Sequence, residues 1–317
     1  MNRPGRLLVV GTCVLSCWGR VLAESPLAAL DNSKPQQPVV MRFDLELDRL
    51  VEEAKATPRL LRSFWLSKRL QQSQKDICVR FGMPNIGLYA KYLLGEKDLP
   101  KVKLHRDALK NRDLEKEIRT AYVRVAKKLG KTHPKAPIYK VAYGYQEYTN
   151  AAMIGVDRES GRHVVLLNRS ALEEKKGWES ALLHESVHTF QGEMGTTLTE
   201  RAIYEGVATY ITKLIEPKLV DHQVLLWTAE KWKAAEARRE KIIAAFAKAK
   251  DETEPKVTVP FLFLHEKLTS VDGAPDRTGY YVGYLACKAW HERNANRTAA
   301  DLLAAKPDEI LHALLSK

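Results

Sequence analysis

The chain has 317 residues, 45% hydrophobic and 28% charged, and its 51 Lys and Arg against 39 Asp and Glu give a formal net charge of +12. That composition excludes a disordered chain and allows one large domain or two modest ones with a true core. The basic excess does not by itself make a nucleic-acid binder. No finger spacing and no aromatic RNA-binding signature accompanies it, so no nucleic-acid partner is expected.

The first residues, "MNRPGRLLVVGTCVLSCWGRVLAES", open on Arg3 and Arg6, run apolar from Leu7 to Trp18, and close on Val21, Leu22 and Ala23. This pattern predicts a secretory signal peptide over residues 1–23, too short in its apolar part to span a bilayer. A second reading ends the signal at "VLSC" and makes Cys17 a lipid-anchored residue. Either way the chain is expected to be exported: periplasmic, secreted or held at the cell envelope. Cleavage after Ala23 leaves Cys78 and Cys287, for which a disulfide is permitted outside the cytoplasm. Residues 24–40, rich in proline and polar side chains, read as a linker.

Residues 41–135 read as a helical N-terminal region. Phe43, Leu47, Leu50 and Val51 recur at helical spacing, as do Leu114, Ile118, Tyr122 and Val125, and Pro58, Pro84 and Pro100 divide the region into three to five helices. The Lys and Arg residues between Lys55 and Lys135 are expected on its solvated face.

The texture changes near Pro137. "PIYKVAYGY", "AAMIGVD" and "HVVLLN" predict three short strands, with "RESGR" as a turn before the third. Ser170 with Glu173 fits a capping box. Gly177 then breaks the run, which places the start of the next helix near Trp178. Thr197 with Glu200 makes a second box, opening "ERAIYEGVATYITKLI". A long Lys- and Ala-rich helix is expected from about residue 220 to 250, and the tail beyond Gly279 is helical again. The fold class expected is α+β, mostly helical, with a small β-sheet.

The stretch "LLHESVHTF" carries the chemistry. His184 and His188, four apart, leave one side of a helix one turn apart, and imidazole nitrogens suit zinc. Glu185 lies about 100° round the helix, able to reach a metal-bound water without ligating. The flanks from Ala181 to Phe190 carry no charge besides Glu185, as a buried metal helix requires. The alternative is a core helix whose histidines bond to their neighbours. A zinc site (Zn2+) needs a third ligand, and "YEGVATY" offers Glu205 on the next helix, with Glu200 as a rival that also fits a cap. Gly206 beside Glu205 allows two helices to approach closely. Tyr280 and Tyr284 of "GYYVGY" share a helical face at i and i+4 and are candidate hydrogen-bond donors; His265 is another.

An HExxH followed by an EGxAxY helix and a GYxxGY element resembles the gluzincins, the thermolysin-like zinc metallopeptidases. The likeness covers roughly residues 140–295. It implies a zincin-like domain over residues 136–317, with His184, His188 and Glu205 as metal ligands, Glu185 as general base and Tyr280 on the oxyanion. It further implies "VVLL", Val164, Val165, Leu166 and Leu167, as an edge strand that takes an extended peptide or protein substrate. The implied activity is that of an exported zinc peptidase, endopeptidase rather than exopeptidase. Where those families place an acid four residues after the glutamate ligand, this chain has Thr209. That departure motivates a second expectation: a catalytically inactive zincin-like metal-binding or interaction protein of the cell envelope.

Overall fold

The computed structural model describes residues 37–73, 86–95, 112–132, 135–143, 151–157, 160–168, 175–262 and 270–316. Residues 1–23, expected to be a signal peptide, Cys78, the Ser170–Glu173 pair and His265 lie outside the described residues, as does Cys17 within that stretch. Among the described residues the fold is α+β and mostly helical, with one small mixed sheet.

The chain enters through β1 (Val39–Arg42), α1 (Phe43–Ala56), α2 (Arg62–Ser73) and α3 (Ile86–Leu93). Leu47, Leu50, Val51, Leu66, Leu70, Tyr89 and Leu93 close around a small core completed by Ala142 and Tyr143. The next helix, α4 (Leu114–Leu129), shows how local sequence sets an element. Leu114, Ile118, Ala121, Tyr122, Val125 and Leu129 fall on one buried stripe. The Asp113 carboxylate caps its start by accepting from the Lys116 N–H, and Gly130 ends it in the left-handed conformation. Leu114, Ile118, Ala121, Val125 and Leu129 of that stripe pack into the larger core, which α4 shares with the C-terminal helices.

β2 (Ile138–Ala142), β3 (Ala151–Val156) and β4 (His163–Asn168) join β1 in a four-stranded sheet of order β1-β2-β4-β3, with only the β3–β4 pair antiparallel. Two expectations are corrected here. Residues 39 and 40, read as linker, already belong to β1. Val164, Val165, Leu166 and Leu167 do not form an edge: β4 is hydrogen-bonded to β2 on one side and to β3 on the other, and all four residues are buried. The physical reason is in the run itself. Four apolar residues without alternation mark a strand covered on both faces, and such a strand has no free backbone for an added peptide.

Helix α5 (Lys175–His188) begins before Gly177, which it contains, and α6 (Leu198–Ile215) follows antiparallel to it. The expected single helix from 220 to 250 is three helices: α7 (Asp221–Val224), α8 (Ala229–Glu236) and α9 (Arg239–Ala249). Leu226 at φ 53 and the capping Thr228, which accepts from the Lys231 N–H, end one and start the next. Burial of Leu225 and Trp227 holds the break. The chain closes with α10 (Pro255–Leu262), α11 (Thr278–Arg293), α12 (Ala299–Ala304) and α13 (Pro307–Leu315). No helix among the described residues is long and apolar enough to cross a membrane.

Candidate metal centre

Three devices fix α5. Trp178 Nε1 donates to Glu117 Oε2 at 2.8 Å, and Arg124 bridges Glu179 and Glu216 at 2.8 and 2.7 Å, so α4 is tied to α5 and to the end of α6. On the sheet side, Tyr139 of β2 shares a 2.7 Å hydrogen bond with Ser186, whose hydroxyl donates to the Leu182 carbonyl. The uncharged residues flanking the histidines, Leu183 and Val187 among them, are buried as the sequence required.

His184 and His188 meet Glu205 of α6. His184 Nε2 lies 3.1 Å and His188 Nε2 3.3 Å from Glu205 Oε2, and the two Nε2 atoms are 2.9 Å apart. These are the three groups among the described residues that converge as metal donors. Zinc bonds of about 2.0–2.2 Å in a tetrahedron set neighbouring donor atoms near ~3.3 Å, so the observed spacing fits one first-row ion with a further position left open. Glu200, the rival ligand, is spent on the cap: its Oε2 accepts from the Thr196 and Thr197 N–H groups at 2.8 and 2.9 Å.

The second nitrogens complete the fit. His188 Nδ1 lies 2.5 Å from Gln191 Oε1, and the same amide donates from Nε2 to the Tyr204 carbonyl at 2.9 Å, which fixes which end faces the ring. His184 Nδ1 is 3.4 Å from Thr209 Oγ1, and that hydroxyl gives its own proton to the Glu205 carbonyl at 2.8 Å. Both acceptors favour an Nδ1–H tautomer and leave Nε2 lone pairs for a metal. Thr209 therefore occupies the orienting position as a neutral acceptor. Gln191 escaped the sequence reading, although its i+3 spacing from His188 could have shown it. So did Tyr204, whose ring stacks on His188 at 4.6 Å and 10°.

Electrostatics follow from this packing. Burial opposes charge on both partners. Even so, the His188 and His184 rings pull the Glu205 carboxyl well below the usual carboxylate range, while Glu205, with help from Glu185 and Gln191, lifts His188 to about 9. Metal-free, His188 and Glu205 thus form a buried imidazolium–carboxylate pair. Glu185 is not one of the three converging donors. Its charge nevertheless reaches His188, Tyr204 and Tyr280.

The aromatic motif divides differently from the expected face. Tyr280 stands near the centre: burial and the Glu205 charge push its phenol well above its ordinary pKa, and the Arg277 guanidinium lies over its ring at 5.5 Å. Tyr281 and Tyr284 both stand edge-on to Trp232 instead, with Tyr281 donating to Glu236 at 2.5 Å, while burial and the nearby Asp221 charge push the Tyr284 phenol well above its ordinary pKa. Cys287 is a buried free thiol beside them in sequence.

A family model described as gliding motility protein GldB, a lipoprotein family, matches residues 174–314. The match starts at the helix that carries both histidines and runs into α13, leaving out the sheet and α1 to α4. No curated protein and no solved structure matches the chain. The family match overturns the resemblance to thermolysin-like zinc metallopeptidases, and with it the designation as hydrolase or protease: no protease family matches. An HExxH interval needs only two histidines and a glutamate on one helix, so it recurs outside the peptidases that made it familiar. Over its C-terminal part, the chain is similar to the GldB family.

Proposed function

We propose that the chain is a metal-binding protein of the cell envelope, with a zincin-like helical centre that holds zinc through His184, His188 and Glu205 and serves binding or assembly in place of peptide cleavage. One observation carries the reading: three donor atoms 2.9 to 3.3 Å apart, with both imidazoles turned by oxygen acceptors to present Nε2. Bound there, zinc supplies a Lewis-acidic centre with a position that the three donors leave free. The Glu205 charge acts on the buried Tyr280 phenol, over whose ring Arg277 lies. Envelope placement is supported by the signal-peptide pattern expected of residues 1–23 and by the similarity to a lipoprotein family. Cys17 is the candidate anchor, to be read by mass spectrometry of the mature amino terminus.

The test is metal analysis of the exported protein. One equivalent of zinc is expected, retained in Glu185→Gln and lost in His188→Ala and Glu205→Ala. Less than about half an equivalent in the wild type would sink the metal reading. Zinc-dependent cleavage of a casein-type substrate, abolished in Glu185→Gln, would overturn the non-enzymatic part alone.

A further inference from the structure

The corner between α1 and α2 holds apolar side chains out of the fold on a hydrogen-bonded frame. Thr57 ends α1, its hydroxyl donating to the Ala54 carbonyl at 2.7 Å, and Pro58 leads into a 3-10 turn over Arg59–Leu61, closed by the Leu61 N–H on the Pro58 carbonyl at 2.8 Å. The Arg62 guanidinium donates back to the Thr57 carbonyl at 3.1 Å, tying the start of α2 to the end of α1. On this frame Leu60 is 94%, Leu61 55% and Phe64 69% exposed. Phe64 follows Leu60 by four residues and Leu61 by three, so the three share one side. Leu66 and Leu70, on the opposite side of α2, are fully buried in the smaller core. Single exposed apolar residues are ordinary; three on one ordered corner, outside both cores, form a patch.

The rim of the patch is basic. Between Ala54 and Ser73 the chain carries Lys55, Arg59, Arg62, Lys68 and Arg69 and no acid. Among the described residues Lys55 pairs with Glu52 at 2.6 Å, whereas Arg59, Arg62 and Lys68 meet no carboxylate. Glu53, the other acid near the end of α1, is held by Arg49. Lys68 stands one turn beyond Phe64 on the same side of α2, and the Arg69 guanidinium lies 5.8 Å over the Trp65 ring. This combination selects its occupant. The centre of a protein interface is depleted of lysine, and a nucleic-acid backbone gains nothing from two leucines and a phenylalanine. A lipid surface takes both parts: acyl chains accept the apolar side chains, anionic headgroups accept the cations, and the aliphatic stems of Lys and Arg lie along the boundary.

We infer that the corner between α1 and α2 docks on an anionic lipid surface, with Leu60, Leu61 and Phe64 entering the boundary between headgroups and acyl chains and Arg59, Arg62 and Lys68 at the level of the phosphates. The contact uses none of the proposed metal ligands and is separate from any anchor at Cys17.

Flotation with vesicles of phosphatidylcholine and phosphatidylglycerol tests it, using the mature chain from Glu24 on, which lacks Cys17 and so carries no lipid anchor. Binding is expected, at least about tenfold tighter than to phosphatidylcholine alone and weakened by added salt. The double variant Leu60→Ser, Phe64→Ser should weaken it at least about tenfold. Arg59→Gln with Lys68→Gln should weaken it severalfold and flatten its salt dependence. All four residues are exposed, so urea midpoints should stay at the wild-type value, which separates lost docking from lost folding. No flotation at about 1 mM lipid overturns the assignment. So does flotation indifferent to the apolar pair, or equally strong on neutral vesicles. Self-association that is abolished by Leu60→Ser, Phe64→Ser and comes without flotation overturns it in favour of a face between copies.

Discussion

Gly206 and Gly283 meet backbone to backbone where α6 crosses α11. A Cβ on Gly206 would overlap the Gly283 carbonyl carbon, and one on Gly283 would overlap the Ala202 carbonyl oxygen and come within 3.0 Å of Gly206 Cα. The crossing stands one residue from Glu205 and three from Tyr280, so this close helix contact also sets the spacing of the site.

Alanine at either glycine should therefore be more damaging than its size suggests. We expect a loss of about 1–3 kcal/mol or more in urea denaturation, since neither partner is a flexible side chain that can yield. Zinc stoichiometry should fall with it as Glu205 is pushed off the histidine pair. A Gly206→Ala protein of unchanged midpoint would show that the helices can part without penalty.

Zinc uptake should be strongly pH-dependent. In the metal-free protein His188 is raised to about 9, so at neutral pH the metal must displace its proton. Affinity should rise about tenfold per pH unit and level off near pH 9, with about one proton released at pH 7 in buffers of different ionisation enthalpy. A flat profile between pH 7 and 9 would count against the buried pair.

The same pair gives the metal-free protein a stability window. The raised His188 contributes fully below its ordinary 6.5, and that contribution is lost as pH rises through about 9; the depressed Glu205 contributes above its ordinary 4.5 and loses this as pH falls. Urea midpoints of metal-free protein should thus peak between about pH 5 and 6.5 from this pair, and His188→Gln should flatten the alkaline limb.

The two neutral orienting residues should tune affinity without making the site. Gln191→Ala and Thr209→Ala are expected to weaken zinc about 10–100-fold with folding intact, by competition against a chromophoric chelator. Thr209→Asp places a charge against His184 Nδ1 and should tighten it. If the aspartate weakens binding, Thr209 does not orient that ring.

Tyr139→Phe addresses the link between sheet and metal helix. It leaves Ser186 Oγ without the 2.7 Å partner that reaches it from β2, for a loss of about 1–2 kcal/mol in denaturation. Zinc stoichiometry should stay at its wild-type value, because the ring still packs.

Much of the site was legible because it is periodic. The i, i+4 interval puts His184 and His188 on one side, the Thr197–Glu200 box fixes where α6 begins, and Glu205 then faces back toward α5. What was not legible depends on neighbours distant in sequence. The resemblance implies an edge for Val164 to Leu167, and the pairing of β4 with both β2 and β3 makes them central instead. The 220–250 run is helical by composition, and only the burial of Leu225 and Trp227 breaks it. Tyr281 and Tyr284 both pack against Trp232, which arrives from a separate helix, and no spacing within "GYYVGY" reveals that. The chemical use of the metal motif was the least legible part, since the interval specifies geometry and not reaction.

Thr209 and Gln191 have a consequence for how long a metal stays. Two neutral imidazoles and one carboxylate leave a bound divalent ion with a residual charge of one, and neither orienting residue adds an anion behind the rings. An acid at both places would hold the proposed ion more tightly; a hydroxyl and an amide would leave it more readily exchanged. Outside the cytoplasm, occupancy would then follow the surrounding zinc supply, and the protein would fill and empty with its environment.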